Sequence, residues 1–265
     1  MIQDMVRFAR PDALPGVELV SVAYRDRAFP VHMHAEYVLG VVTAGAEVLE
    51  ANGSRHIVAA GDVLRLHPGQ AHANRVHGPD TLRYRVFYLP ADAIAPYLEA
   101  GHLPSFDSPV AHVHPQARLF ADCHRLIGRA GSGPLEQETA LMSVIRALAE
   151  GEATNGGAAG ANGGPAIDRV RAYIDAHFAD GFGLSTLAGV ADLSVFHLAR
   201  SFKAAVGLSP LAYRNLRRID EARHRLRAGD PIADIAIDLG FADQSHLTRH
   251  FQKLVGISPG LYRQQ

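Results

Sequence analysis

Apolar side chains along residues 17–90 come in short runs broken by turn residues: VELVSVAY, YVLGVVTAG, EVLEANGSRHIV, DVLRLH and LRYRVFYLP. These runs are rich in Val, Leu and Tyr, and turns interrupt them at Asn52-Gly53, Ala60-Gly61-Asp62 and Pro68-Gly69. Such segments predict strands, and many short strands at this spacing predict an antiparallel barrel. The apolar period then lengthens. Residues 115–130 and 134–150 predict two amphipathic helices, one lined by Leu119, Cys123, Leu126 and Ile127, the other by Leu141, Val144, Ile145 and Leu148. Residues 151–165, GEATNGGAAGANGGP, carry no large apolar side chain. That stretch cannot bury enough surface to offset its ordering entropy, and it predicts a flexible linker. It divides the chain into domains at residues 1–150 and 166–265.

The second domain contains a duplication. Residues 194–214, SVFHLARSFKAAVGLSPLAYR, align without a gap with residues 243–263, DQSHLTRHFQKLVGISPGLYR, and agree at 10 of 21 positions. Leu198, Phe202 and Ala205 or Val206 make one apolar stripe at helical spacing. Leu247, Phe251, Leu254 and Val255 repeat it. Ser194 and Asp243 stand at N-cap positions, and Gly207 and Gly256 predict left-handed helix ends. Ser209-Pro210 and Ser258-Pro259 then restart a helix, serine as cap and proline at the first helical position. Shorter helices are expected ahead of each copy, at 184–191 and 231–239, with Asp230-Pro231 capping the latter. A short helix, a tight turn and a longer helix make a helix-turn-helix. Two such units suit a partner that repeats, as duplex DNA does.

Opposite the apolar stripe point Phe196, Ala199, Arg200 and Lys203 in the first copy. Ser245, Thr248, Arg249 and Gln252 do so in the second, with Gln244 and His246 on its flanks. Gln, Ser, Thr and Arg are the side chains that read base edges or hold phosphates. A polar face alone is usually a solvated face, but a solvated face has no reason to keep arginine at the same place in both copies (Arg200, Arg249).

Residues 167–264, dense in these motifs, resemble the DNA-binding domain of the AraC-type transcription regulators. The resemblance implies two helix-turn-helix units joined by a long helix at about residues 210–227, with each second helix in a major groove. Carried over by position, DNA contacts come from Phe196, Ala199 and Arg200, and from Gln244, Ser245, His246, Thr248 and Arg249. Ala199 departs from the longer polar residue of many members.

Residues 30–74 resemble the cupin barrel placed ahead of such domains, through His32-x-His34, Gly45, Gly61-Asp62, Pro68-Gly69 and His72. Strand alternation puts His32, His34 and Glu36 on one face, with His72 across the barrel. These four read as the polar lining of a pocket for a small-molecule effector. A divalent metal at His32, His34 and His72 is the alternative, since imidazoles suit such ions. A third possibility is hydrogen bonding within the barrel. Metal-binding cupins place a glutamate four or five residues after the second histidine, where this chain has Val38 and Leu39, so no metal cofactor is assigned.

The net charge of −1 hides an asymmetry. Residues 1–164 hold 13 Lys+Arg against 17 Asp+Glu, and residues 165–265 hold 13 against 10. The basic half is the one that would meet phosphates. Cys123 is the single cysteine, which excludes an intramolecular disulfide and reads as a small core residue. No apolar leader or membrane span is found, so a cytoplasmic protein is expected. The fold expected is α+β: a cupin-like antiparallel β-barrel with two following helices, a linker, and an all-α domain of two helix-turn-helix units. The function expected is that of a transcription regulator, mostly an activator in this family, rather than an enzyme. Double-stranded DNA, a small effector, RNA polymerase and a second copy in a homodimer are its expected partners. The rival is a metal-dependent cupin enzyme fused to a DNA-binding domain.

Overall fold

The computed structural model describes residues 4–98, 103–150 and 164–265. Contacts divide the chain into two compact units, Met1–Ala28 with Met33–Ala158, and Phe29–His32 with Ala159–Gln265. Residues 151–163 of the expected linker lie outside the described residues. The second unit's first helix starts at Gly164, two positions inside that stretch.

The strands, all ahead of residue 112, form two antiparallel sheets. One has six strands, β1 (Met5–Ala9), β2 (Glu18–Tyr24), β9 (Leu82–Leu89), β4 (Tyr37–Ala44), β7 (Val63–Leu66) and β10 (Val110–Ala111), in that order across the sheet. The other has four, β3 (Ala28–His32), β8 (His72–His77), β5 (Ala46–Ala51) and β6 (Ser54–Ala59). Strand β3 belongs to the four-stranded sheet by its hydrogen bonding. The expected strands β2, β4, β5, β6, β7 and β9 are present, while β3 and β8 lie where the apolar pattern gave no strand. Their sequences AFPVH and HANRVH are too polar to signal one.

Alternation along β9 sorts the interior. Phe87 and Leu89 join Leu19, Leu39 and Val41 in a core shared with α2 (His114–Ile127) and α3 (Pro134–Glu150). A short helix α1 (Ala91–Ile94) adds Ile94 to the same core. The buried face of α2 is Ala117, Phe120, Cys123 and Ile127. Leu119, expected on that face, is 38% exposed. Phe120, the larger ring one position on, takes the core side and turns Leu119 outward. Cys123 is buried as expected, and burial raises its thiol pKa.

From Gly164 onward the elements are all helices: α4 (Gly164–His177), α5 (Leu184–Ala191), α6 (Val195–Val206), α7 (Pro210–Arg227), α8 (Ile232–Asp238), α9 (Gln244–Val255) and α10 (Pro259–Arg263). Among the described residues no helix is long and apolar enough to cross a membrane.

Candidate nucleic-acid interface and histidine pocket

The two copies build the same object from the same local chemistry. The Ser194 hydroxyl accepts from the His197 N–H at 3.2 Å, and the Asp243 carboxylate from the His246 N–H at 2.7 Å. Gly207 at φ 80° and Gly256 at φ 92° end the two helices in the left-handed region, where a side chain would strain the backbone. Ser209 and Ser258 cap α7 and α10 through Ala212 and Leu261. Asp230 does not cap α8 as expected: Pro231 holds the N-cap position with no side-chain bond. The Asp230 carboxylate instead accepts from Arg225 at 2.6 Å, which also reaches Asp238 at 2.8 Å.

Leu198 and Phe202 in α6, and Leu247 and Phe251 in α9, are fully buried. The Phe202 ring packs edge-on against Tyr213 at 5.7 Å, and Phe251 packs likewise against Tyr262 at 5.3 Å. The tyrosine hydroxyls are used oppositely. Tyr213 donates to Asp175 at 3.0 Å, whereas Tyr262 accepts from Arg227 at 3.0 Å and Arg223 at 3.4 Å.

With these faces buried, Phe196 and Arg200 are exposed on α6 and Ala199 is half-buried. Phe196 is 76% exposed. On α9, Gln244, Ser245 and Arg249 are exposed, and His246 and Thr248 are half-buried. The His246 Nδ1 accepts the Ala242 N–H at 3.2 Å, so the neutral ring carries its proton on Nε2. It stands 4.8 Å from the His250 ring. Burial lowers the His250 pKa, and His246, Lys253, Arg249 and Arg218 add to the effect. Every expected DNA-contact residue therefore lies at the N-terminal part or on the outer side of α6 or α9.

In the first unit, the expected single strand face is broken. Strand β3 ends at His32; His34 and Glu36 lie in the connection that precedes β4. Alternation therefore does not group them. The chain nevertheless brings His32, His34 and His72 together, with one ring nitrogen of each within 4.8 Å of the others. The His32 Nδ1 lies 2.8 Å from the Pro30 carbonyl and the His72 Nδ1 lies 3.0 Å from the Gln70 carbonyl. A carbonyl only accepts, so both rings donate from Nδ1, and in the neutral ring Nε2 is then the nitrogen with the lone pair. Burial lowers the His32 pKa, against a smaller opposing effect of the Pro30 bond. In their neutral form, three imidazoles at this spacing can hold a divalent metal ion. Glu36 stands outside this group.

Sequence reasoning missed the polar residues between the sheets. Glu47 and Asn74 occupy the same face of adjacent strands as His72, as the pairs Glu47↔Val76, Leu49↔Asn74 and Ala51↔His72 require. The Asn74 amide donates to Glu47 at 2.9 Å. From the six-stranded sheet come Tyr84 and Tyr88, on the face opposite Phe87. The His34 ring lies 4.9 Å from Tyr88 and 5.3 Å from His72. The available signal was Glu47 itself, a charged residue in phase with Leu49 and Ala51.

Two family models match this chain: an AraC-like ligand-binding domain over residues 14–145 and a helix-turn-helix domain over residues 187–265. The HTH-type regulator YbfI of Bacillus subtilis is 28% identical over 85% of each chain. The transcriptional activator RhaS of Escherichia fergusonii is 27% identical over 98% of each chain. A crystal structure of ToxT from Vibrio cholerae superposes with a TM-score of 0.57 at 12% identity, covering 92% of this chain and 96% of that one. An unsaturated-fatty-acid-bound ToxT gives 0.56 at 12% identity, over 98% and 94%. The structural likeness establishes a shared fold. One family match on each unit, together spanning most of the sequence, with a duplicated helix-turn-helix behind the second, means that this chain belongs to the AraC-type transcription regulators.

Proposed function

We propose that the protein regulates transcription by placing α6 and α9 in successive major grooves on one side of a DNA duplex. The observation that carries this is the duplication. Two helices with equivalent N-caps and the same Leu and Phe core residues present an arginine at the same place, Arg200 and Arg249. A single basic patch would need no such symmetry. Grooves on one side of DNA recur at about 34 Å. The 18-residue helix α7 spans about 27 Å, the right scale for a spacer between two readers. Contacts come from Phe196, Ala199 and Arg200 in the first groove, and from Gln244, Ser245, His246, Thr248 and Arg249 in the second.

The first unit senses a small molecule, held between the sheets beside His32, His34 and His72, with Glu36 at the rim. Fatty-acid binding by ToxT supports a ligand-binding role for this kind of domain. The protein acts in the cytoplasm as an activator, as RhaS is named. It contacts RNA polymerase and pairs with a second copy through its first unit, and it is a regulator rather than an enzyme. The decisive experiment selects bound sequences from random duplexes and repeats the selection with Arg200→Ala and Arg249→Ala. Each variant should lose preference in one half of the site only. Preference unchanged in both would refute the reading.

A metal reading is favoured by one observation. Two of the three clustered histidines direct Nδ1–H at backbone carbonyls, the arrangement that orients Nε2 toward an ion. Zinc, with its taste for tetrahedral nitrogen sites, suits three imidazoles and one exchangeable position. Metal content of the purified protein, compared with a His34→Ala, His72→Ala variant, tests it.

A further inference from the structure

Among the described residues of the first unit, three carboxylates are buried: Glu18, Glu47 and Asp62. Two of them have basic partners. Glu18 is paired with Arg10 at 2.8 Å, and Asp62 with His112 at 2.7 Å. Glu47 is 1% exposed, and among the described residues its hydrogen-bond partner is the neutral amide of Asn74. A buried carboxylate needs a counter-charge or a proton. Among the described residues no arginine or lysine forms an ion pair with this one; the charge of Arg27 acts on Tyr24 nearby.

What surrounds Glu47 is aromatic. Tyr24 and Tyr84, with ring centroids 6.2 Å apart and tilted by 60°, both feel its charge, Tyr24 less than it feels burial and the charges of Arg27 and Asp4. Burial holds the Tyr84 pKa well above its ordinary value, the charges of Tyr24 and Glu47 add to this, and Asn74 opposes it. Tyr88 follows Tyr84 by two positions on the same face of β9, and His34 packs on Tyr88. Tyr84, Tyr88, His34 and Asn74 are half-buried rather than buried, although their faces of the sheets point inward. These four inward-facing side chains thus keep part of their surface accessible.

We propose that Glu47 is the anionic end of the effector site, and that the effector is a small organic cation bearing a protonated amine. The ammonium group sits against the Glu47 carboxylate and over the faces of Tyr24 and Tyr84, while Asn74 fixes the carboxylate's orientation. Aromatic faces attract cations through their quadrupole, and a carboxylate out of water holds a cation far more strongly than one in it. The ligand thus contributes the counter-charge that the fold withholds, and the unit gains stability on binding, which is what a sensor requires. This inference rests on the reading of the first unit as an effector-binding domain.

The test uses the full-length protein and matched pairs of compounds of equal shape: benzylamine with benzyl alcohol, phenethylamine with phenethyl alcohol, and hexylamine with hexanol. Sugars and alkyl carboxylates serve as further classes. Titration calorimetry should find the amine of at least one pair bound, its alcohol weaker by at least about 30-fold, the scale expected for a buried charge partner. Glu47→Gln should erase that difference and leave the alcohol within about threefold of wild type. Binding to the wild type should also release protons near pH 7, because the ammonium displaces the Glu47 proton, and the variant should release none. Should sugars, alcohols or carboxylates bind while amines do not, the domain is a sensor and the cation assignment is wrong. Should no class of compound bind or raise the melting temperature, the effector-domain reading fails together with it.

Discussion

Arg218, on α7, donates to the carbonyl of Gly240 at 2.8 Å, and Gly240 begins the turn that leads into α9. The same guanidinium donates to the carbonyls of Phe178 at 2.6 Å and Ala179 at 3.2 Å, just past the end of α4. It also lies 5.6 Å from the centre of the Phe241 ring. One side chain therefore ties the joining helix to the approach of both reading units. Burial, with the charge of Arg214 nearby, brings its pKa down to about 10, still high enough to keep it charged at neutral pH. Charge-assisted bonds to several carbonyls at once are stronger than neutral ones and fix direction.

Gly240→Ala should destabilise the second unit by at least about 2 kcal/mol, combining left-handed strain with a collision. Gly240 has φ +71°, and an added Cβ would come 2.6 Å from an Arg218 nitrogen, and closer still to the Ala179 carbonyl oxygen. Gly229→Ala is the control. Gly229 has φ +92° and nothing within 4 Å of an added Cβ, so only the backbone strain of about 1 kcal/mol remains. Urea denaturation of the two variants should separate them, and equal costs would show that the turn relaxes around the methyl group.

Arg249→Ala should weaken binding to a selected duplex by about 1–3 kcal/mol and relax the preference at one base position, if its guanidinium reads a base edge. Loss of a phosphate contact alone would instead lower affinity for every sequence and flatten the salt dependence. Arg200→Ala should act in the same way on the other half-site. Gel-shift titrations at two salt concentrations decide between base and phosphate, and unchanged affinity excludes both.

Phe202→Ala and Phe251→Ala each remove a fully buried ring and should cost about 3–5 kcal/mol. Each substitution also leaves its tyrosine, Tyr213 or Tyr262, facing a void. Both should reduce helical circular dichroism at moderate urea and lose DNA binding with it. A variant that keeps its helicity and its melting temperature would mean that the ring is not part of the core.

The second unit was legible because its determinants are local. Caps at Ser194, Asp243, Ser209 and Ser258, stops at Gly207 and Gly256, and a seven-to-eight-residue apolar stripe are all written within a dozen positions. Duplication wrote them twice. The first unit was less legible, because what matters there is which strands lie opposite one another. His32, His34 and Glu36 look alike in the sequence, two apart, yet the strand ends at His32 and only the histidines gather with His72. Glu47 and Asn74 are 27 residues apart and meet through cross-strand register, which no local pattern records. Asp230 shows the same limit at smaller scale: it has the composition of a cap, but the ion pair with Arg225 takes its carboxylate instead.

Glu47 should make the stability of the first unit depend on pH in a direction opposite to that of most carboxylates. Burial raises its pKa from 4.5 to about 7, partly offset by the Asn74 bond. Between those values the folded chain holds a proton that the unfolded chain has released. Stability therefore falls as pH rises through that window, and is level above it. The shift corresponds to up to about 3 kcal/mol. Glu47→Gln has no such titration. A glutamine amide beside Asn74 adds an offset that does not vary with pH, since neither amide ionises. Other groups that titrate in this range, His124 with its pKa lowered to about 4 among them, are common to both proteins and cancel in the difference. Urea midpoints of wild type and variant at pH 5 and pH 8 should thus show the variant gaining about 2–3 kcal/mol relative to wild type at the higher pH. A difference that stays constant between the two would mean that Glu47 ionises at its ordinary pKa, reached by water between the sheets, and the case for a missing counter-charge would go with it.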